Sequence, residues 1–441
     1  MRPKTSFSPD SITFAPFVLV PSTFPHHEFM KVKSLQPAIN KLIHRVAHDQ
    51  KFLKESLMNT VKVDDFTGRL FQIYEAVHSE GISQRISLGL LRSDYFLHSS
   101  TGRVLQVEVN TIASSFAGIA TQVSLYHRYI LSELGAYEHL QYLPDNQALQ
   151  SLVAGMLKAW EMYGCEQAVI LFIVEDITYN ICDQRFHEFQ IQTQNPKVRV
   201  MRCTLTDVGQ YGTLDKEKKL YVKGKEVAVI YFRAGYSPEH YHSSLEWDAR
   251  LLMERSKAIK SPSIQYHLAG TKKVQQELAR PNAVERFIEN EEDAKAIRAL
   301  FAGLYSLDMN EEGDESVKMA IKNPHAYILK PQREGGGNNI YGKDVRETLE
   351  RIGKKKERTG YILMDRIVPP IQKNYIVRPG SAPELNDVIS ELGIFGTIIG
   401  DSEEIFWNQE AGHMLRTKLS TANEGGVAAG VGALDSPYLF S

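Results

Sequence analysis

The chain has 441 residues, and at roughly 150 residues per domain it is too long for one ordinary core, so about three domains or lobes are expected. Its 51 Lys plus Arg against 53 Asp plus Glu leave a formal net charge of −2, with 24% charged and 43% hydrophobic residues, the balance of an ordinary globule. This excludes a small disulfide module and gives no reason to expect a nucleic-acid or membrane partner.

The first apolar run, Phe14-Ala-Pro-Phe-Val-Leu-Val20, is far shorter than the ~20 residues of a membrane helix. Between about Pro37 and Leu88, Leu42, Ile43, Val46, Phe66, Leu70, Ile73 and Val77 recur at helical spacing, which predicts a helical scaffold. The period then changes. In Val104-Leu-Gln-Val-Glu-Val-Asn110, apolar and polar residues alternate, which predicts a strand with one apolar and one polar face. Ala168–Val174, Val198–Cys203 and Val227–Phe232 are apolar runs of strand length, suited to a parallel sheet covered on both faces. From about Ser263 the chain reads as helix, then a strand Ala326–Lys330, a Gly-rich turn, a charged helix Lys343–Arg358 and a strand Tyr361–Asp365. Further strands are expected at Glu391–Ile399 and Glu404–Trp407. This order suggests a small α+β lid over a larger body. Cys165, Cys182 and Cys203 form no C-x-x-C pair, so neither a disulfide framework nor a zinc site is supported. A reducing, cytoplasmic location is the expectation, although a secretory leader removed from the mature chain would leave the same residues.

The strongest local signal is Lys330-Pro-Gln-Arg-Glu-Gly-Gly-Gly-Asn-Asn-Ile-Tyr341. Gly335, Gly336 and Gly337 lower the cost of unusual backbone angles, and backbone N–H groups around them and Asn338 can close over phosphate oxygens, with the Lys330 ammonium beneath. The run is neither a P-loop nor a G-x-G-x-x-G fingerprint. Glu108 and Asn110 lie two apart on a strand and so share a face, a hard-oxygen pair suited to Mg²⁺ that Glu334 could complete. The planar fork of Arg92 could hold a carboxylate or phosphate. Arg416 and Lys418 repeat the two-apart logic with cations, ahead of a second small-residue loop that runs from Glu424 to Gly430. Taken singly, each of these is also what a solvated strand edge or surface turn looks like. The basic run Lys354–Arg358 carries no aromatic platform and reads as a solvated helix end.

Together these blocks resemble the eukaryotic-type glutathione synthetases of the ATP-grasp superfamily. The resemblance rests on Asp64-Asp-Phe-Thr67, Leu91-Arg-Ser-Asp-Tyr95, Glu108-Val-Asn-Thr111, Cys182-Asp-Gln-Arg185, Leu268–Gln276, Lys330–Asn339, Ser390-Glu-Leu-Gly-Ile-Phe-Gly396 and Leu415–Gly430. It implies an α/β fold with α+β elements, an ATP-grasp body with a parallel-sheet substrate domain and a glycine-rich lid. The parts would be 1–165, helical and antiparallel; 166–262, the substrate domain; and 263–441, with the lid at about 302–370 and a substrate loop at about 419–430. It also implies an ATP-dependent carbon–nitrogen ligase that phosphorylates the cysteinyl carboxylate of γ-glutamylcysteine and lets glycine attack the acyl phosphate, giving glutathione, ADP and phosphate. Two Mg²⁺ ions per site and a homodimer come with the family.

By matching motif, Glu108, Asn110 and Glu334 look like the magnesium ligands. Lys272 and Lys330 look like phosphate contacts, with Asn339, Tyr341, Met364, Asp365, Glu391, Lys418 and Glu424 around the nucleotide. Arg92, Ser115, Asn180, Gln184, Arg233, Tyr236, Arg416, Val427 and Ala428 fall at substrate positions; Arg92, Lys330 and Arg416 are expected to act on the reacting groups. Three departures stand in the substrate site, one of them the altered turn Ala113-Ser114-Ser115-Phe116-Ala117. Thr178-Tyr179-Asn180 replaces the family's usual Glu-Arg-Asn, and Arg233-Ala234-Gly235-Tyr236 replaces Arg-Asp-Gly-Tyr, so two acids are missing from a site that receives an ammonium. The alternative expectation is therefore a diverged relative that keeps the ATP and metal site but has a changed substrate or weakened activity.

Overall fold

The computed structural model describes residues 14–178, 180–334, 336–423, 427 and 431–441. Its centre is a seven-stranded sheet in the order Gln372–Val377, Phe17–Val18, Ala433–Asp435, Ile405–Leu419, Glu384–Gly400, Ser87–Leu97, Val104–Asn110. Both ends of the chain contribute strands, so this body is assembled from segments far apart in sequence. The long central pair, Glu384–Gly400 and Ile405–Leu419, is antiparallel, as are the pairs outward to Val104–Asn110. Helices His26–His48, Asp65–Glu80 and Ile264–Ala269 supply a core against this sheet through Phe29, Val32, Ile39, Leu70 and Tyr266, which bury against Leu91, Tyr95, Leu392 and Ile394.

A second sheet has Val200–Cys203, Val169–Ile173, Lys225–Phe232 and Ile259–Ser261 in parallel, extended by the antiparallel strands Leu220–Val222 and Gly212–Leu214. Every residue of Val169–Ile173 is buried, which is why its sequence runs apolar without alternation. A third, four-stranded antiparallel sheet, Leu304–Ser306, Tyr361–Asp365, Tyr327–Pro331 and Ile340–Tyr341, carries helices Glu311–Lys322 and Lys343–Ile352 over a small core of its own. Among the described residues no helix is long and apolar enough to cross a membrane.

Four expectations are corrected. The helical scaffold begins at His26 and stops at Glu80; Ser87 and Leu88 already belong to the Ser87–Leu97 strand, whose first nine residues are all buried and so show no period of two. The C-terminal strands are much longer than Glu391–Ile399 and Glu404–Trp407: the first reaches back to Glu384 through exposed residues held by pairing with Gln372–Val377, and the second runs on to Leu419 through Ala411–Leu415, buried without alternation. The charged helix ends at Ile352, and Arg358 is not solvated: it is 1% exposed and donates to the carbonyls of Leu307, Gly353 and Asp308. Finally, the Val104–Asn110 strand does not keep one apolar and one polar face. Asp94 pairs with Glu108 but Tyr95 with Gln106, so Val107 is an extra residue that breaks the alternation. Leu105 and Val107 consequently join the face that carries Glu108 and Asn110, and Gln106 turns inward.

Candidate functional site

Cross-strand register gathers the chemistry on one face of the seven-stranded sheet. Arg92 lies opposite Asn110, Asp94 opposite Glu108, and Glu391 opposite both Phe96 and Arg416. Gly393, two residues beyond Glu391 on the same strand, faces Asp94; a Cβ there would stand 2.9 Å from the Arg92 Cδ and 3.1 Å from an Asp94 oxygen. The missing side chain is what lets Arg92 and Asp94 lie across the sheet. Asp94, 1% exposed, is the hub: it accepts from Arg92 Nε at 2.6 Å and Nη2 at 2.7 Å, from Asn110 Nδ2 at 2.9 Å and from Arg416 Nη2 at 3.3 Å. Arg416 also forks onto Glu391 at 2.8 and 3.0 Å. Burial works against its charge, yet Glu391 and Asp94 outweigh that and hold it protonated well above the usual arginine range.

The four-stranded sheet brings Lys330, near the end of the Tyr327–Pro331 strand, to this face, and Glu334 follows in the loop. Lys330 is 3% exposed and donates to the Val107 carbonyl at 3.1 Å, with Glu108 at 3.9 Å. Lys272, at the start of helix Lys272–Leu278, reaches Glu334 at 3.0 Å, Glu108 at 3.7 Å and the Arg333 carbonyl at 2.6 Å. Burial disfavours the Glu108 carboxylate, but Lys272, Lys330, Arg416 and Arg92 overcome it and bring its pKa to about 2. Burial wins at Glu334, raising it despite Lys272, and at Lys330, which is lowered despite Glu108. Lys272 is raised: Glu334 and Glu108 more than repay its burial. The Asn110 amide nitrogen is committed to Asp94 and to the Arg92 carbonyl, leaving its Oδ1 without a hydrogen bond among the described residues. Two carboxylates and an amide oxygen are a hard-oxygen set that fits Mg²⁺. No group of three or more His, Cys, Asp or Glu converges among the described residues.

The resulting cleft, about 240 Å³, is lined by Arg92, Glu108, Asn110, Ser115, Asn180, Tyr236, Lys272, Lys330, Glu334, Gly336, Asn338, Asn339, Tyr341, Glu391, Arg416, Lys418 and Val427. Gly336 and Gly337 have φ of 73° and 77°, angles that a side chain resists. Gly337 is exposed and does not line the cleft. A second hollow of about 170 Å³ adjoins the first through Phe96, Val107 and Tyr341, and Met364, Ile367 and Ile389 make it apolar, as a flat heteroaromatic ring requires. Asp365 lines neither hollow: its carboxylate accepts from the Tyr305 hydroxyl at 3.1 Å. Gly335, Glu424 and Ala428 lie outside the described residues.

At the other end, Ser115 sits on a turn between Ala113 (φ 52°) and Phe116 (φ 79°), both in the left-handed region. Asp183 holds that turn by accepting from the backbone N–H of Phe116, Gly118 and Ile119 at 2.8, 3.0 and 3.2 Å, at the start of helix Ala117–Glu133. Two residues expected in contact with substrate are not among those that line the cleft. Arg233, 4% exposed, donates to the Ser115 hydroxyl and the Ser114 carbonyl. Gln184, 2% exposed, donates to Asn180 Oδ1 at 3.1 Å.

Sequence reasoning missed Asp94, Arg333 and Glu175. Asp94 lies two residues from Arg92, the same spacing that singled out Glu108 with Asn110. Arg333 lines the cleft and pairs with Asp64, which also caps helix Asp65–Glu80. Glu175 follows the C-terminal end of the parallel strand Val169–Ile173, where ligands of open α/β sheets collect. Among the described lining residues, six Lys and Arg face four Glu, a cationic excess suited to a polyphosphate.

A family model described as "Eukaryotic glutathione synthase, ATP binding domain" matches residues 1–439. The chain is 45% identical to the glutathione synthetase of Xenopus laevis, covering 100% of this chain and 93% of that protein. It is 44% identical to the glutathione synthetase of Homo sapiens, covering 99% and 93%. With the chloroplastic glutathione synthetase of Solanum lycopersicum it shares 46% over 96% of this chain and 78% of that one. Among solved structures, a glutathione synthetase-like effector from Globodera pallida in the apo form superposes with a TM-score of 0.78 at 26% identity, covering 97% of this chain and 91% of the other.

Proposed function

The chain belongs to the family of eukaryotic glutathione synthases, with the ATP-grasp fold, and on that premise we propose how its own residues carry out the family's reaction. It is an ATP-dependent ligase that makes glutathione; its substrates are γ-glutamylcysteine, glycine and ATP. The observation that carries the assignment of roles is the single sheet face on which Glu108, Asn110, Arg92 and Arg416 meet Lys330 of the lid.

The adenine occupies the apolar hollow beside Met364, and the triphosphate runs toward Lys272 and Lys330 under the loop of Gly336 and Asn338. Glu108, Asn110 and Glu334 hold Mg²⁺, whose chemistry when bound is to neutralise phosphate oxygens and polarise phosphorus. The cysteinyl carboxylate attacks the γ-phosphorus, the bond to ADP breaks, and an acyl phosphate forms. The glycine amine, giving up a proton, then adds to the acyl carbon, and phosphate leaves with the bonding electrons. Negative charge grows on transferring oxygens in both steps, and fixed cations stabilise it without reorganising. Arg416 remains charged between Glu391 and Asp94; Arg92 is oriented by Asp94 from one side and by the Ser115 carbonyl, 3.2 Å from Nη1, on the other. Ser115, Asn180 and Tyr236 receive the dipeptide, with Val427 in the same lining. The working form is a homodimer, as the family resemblance suggests.

The test is to incubate the protein with Mg-ATP, γ-glutamylcysteine and glycine and to count ADP and glutathione together. One glutathione per ADP supports the reading. ADP release that ignores glycine, or no thiol tripeptide at all, rejects it.

A further inference from the structure

The cleft recognises a dipeptide whose γ-glutamyl head carries an ammonium, yet six cations in its wall repel one. Three of the four lining carboxylates are already paired with Lys or Arg: Glu108 and Glu334 with Lys272, and Glu391 with Arg416. Thr178, where the family resemblance leads one to expect Glu, lines the same wall and offers only a hydroxyl, which donates to Asn180 Oδ1 at 3.0 Å. Ala234, at the second missing acid, is 2% exposed and faces the core.

Glu175 is different from the other three. Its described ion partner is His240, whose Nε2 stands 3.2 Å from Oε1. His240 Nδ1 accepts from the backbone N–H of Gly235 at 3.0 Å and of Ser237 at 3.3 Å, so Nδ1 carries no proton and the ring's N–H is on Nε2. An imidazole so held is a neutral donor. It orients the Glu175 carboxylate without cancelling its charge, and leaves Oε2 with no partner among the described residues. The Glu175 side chain is 37% exposed, whereas His240 is only 9% exposed, so the carboxylate stands at the cleft surface on a buried support. The Tyr236 ring packs on His240 with centroids 4.6 Å apart, and its hydroxyl, already pushed up by burial, is raised further by the Glu175 charge. Acid, phenol and the amide of Asn180 therefore share one end of the cleft.

We propose that Glu175, braced by neutral His240, is the acid that receives the ammonium of the γ-glutamyl head, taking over from three residues upstream the task that Thr178 cannot perform. The proposal rests on the glutathione-forming reading and deepens it: the cleft selects an α-amino dipeptide over its des-amino analogue through this one carboxylate.

The experiment titrates the full-length protein calorimetrically with γ-glutamylcysteine and with N-glutarylcysteine, which lacks only the amino group, and repeats both with Glu175→Gln and Glu175→Asp. A charge-assisted contact predicts that the parent favours the amino compound by roughly 10- to 100-fold. Glu175→Gln should bring the two affinities together, Glu175→Asp should restore most of the difference, and the thermal unfolding midpoint should stay put in both. A parent that does not discriminate, or a ratio unchanged in Glu175→Gln, overturns the proposal; so does Glu175→Asp behaving like Glu175→Gln, since shape rather than charge would then govern. Glutathione formation by the parent is assayed separately. Product with an unchanged ratio sinks the Glu175 role alone, whereas a ratio that collapses as expected without product sinks the functional reading alone.

Discussion

Lys330 is an ammonium kept out of water, 3% exposed, with one carbonyl and a distant carboxylate for company. Burial pushes its pKa down, with Lys272 adding to the effect and Glu108 opposing it. Such a cation is poorly satisfied until phosphate oxygens arrive, so its stabilisation is realised in the reaction rather than in folding. Lys330→Ala should therefore cut kcat by roughly 10²- to 10³-fold and leave the unfolding midpoint nearly unchanged. Steady-state rates with a melting curve check this; turnover within a few fold of the parent would remove Lys330 from the phosphate site. The lysine and the glycines after it were legible in the sequence because three adjacent glycines cannot pack a core. Asp94 was marked only by its place two residues from Arg92; the partners that make it a hub, Asn110 and Arg416, come from other strands and leave no local pattern. The motifs that marked Arg233 and Gln184 did not show that both hydrogen-bond to other expected site residues, Ser115 and Asn180.

At the scale of elements, the site depends on two devices that hold strands and turns in register. Gly393 is one. Its absent Cβ would press on Met414 Cγ at 2.8 Å as well as on Arg92, so Gly393→Ala should destabilise the protein by roughly 1–3 kcal/mol through overpacking. It should also lower activity at least about tenfold, since misplacing a positioned fork by a fraction of an ångström weakens every step that uses it. Urea unfolding and kcat/KM for the dipeptide test the two halves; an active, fully stable variant would contradict the packing argument. Asp183 is the other. Removing its carboxylate in Asp183→Ala strands three N–H groups in a buried turn, at a cost of roughly 1–3 kcal/mol for an unsatisfied donor. The dipeptide KM should rise with it, because Ser115 rides on that turn, while the KM for ATP should not. Equal changes in both constants would mean the turn serves the whole fold instead. The parallel strands around residues 169, 200 and 227 were readable from their apolar runs. The bulge at Val107 was not, because it is set by the pairing of Asp94 and Tyr95 on the neighbouring strand rather than by anything within Val104–Asn110.

For the whole molecule, the body is knit from distant segments, and buried histidines lie where they meet. His44, on helix His26–His48, takes the Tyr266 hydroxyl hydrogen on Nδ1 at 2.5 Å and donates Nε2–H to the Asp401 carbonyl at 2.7 Å. Burial, with His48 beside it, lowers its pKa from 6.5 to about 4. His413, packed edge-on against Phe29, is lowered by burial to about 3. Because the folded pKa values are depressed, the unfolded chain binds these protons first. Stability from the neutral rings is complete above pH 6.5 and is lost as pH falls toward 4, with His44 alone worth roughly 3 kcal/mol over that window. Unfolding free energies measured from pH 7 to 4.5 should fall accordingly, and His44→Gln should flatten the slope by up to about 1.4 kcal/mol per pH unit. An unchanged slope would place the titrating group elsewhere. The pairing of strand 87–97 with strand 384–400 could not be read from the sequence, since nothing local says that strands more than 250 residues apart are neighbours.

The central claim is that this cleft makes glutathione by way of an acyl phosphate, and oxygen labelling reads both parts at once. γ-Glutamylcysteine carrying ¹⁸O in its cysteinyl carboxylate is turned over with Mg-ATP and glycine, and glutathione and phosphate are weighed by mass spectrometry. If the carboxylate attacks phosphorus and glycine then displaces phosphate, each phosphate released carries one ¹⁸O and each glutathione has lost one. Unlabelled phosphate, or labelled phosphate without glutathione, would contradict the account.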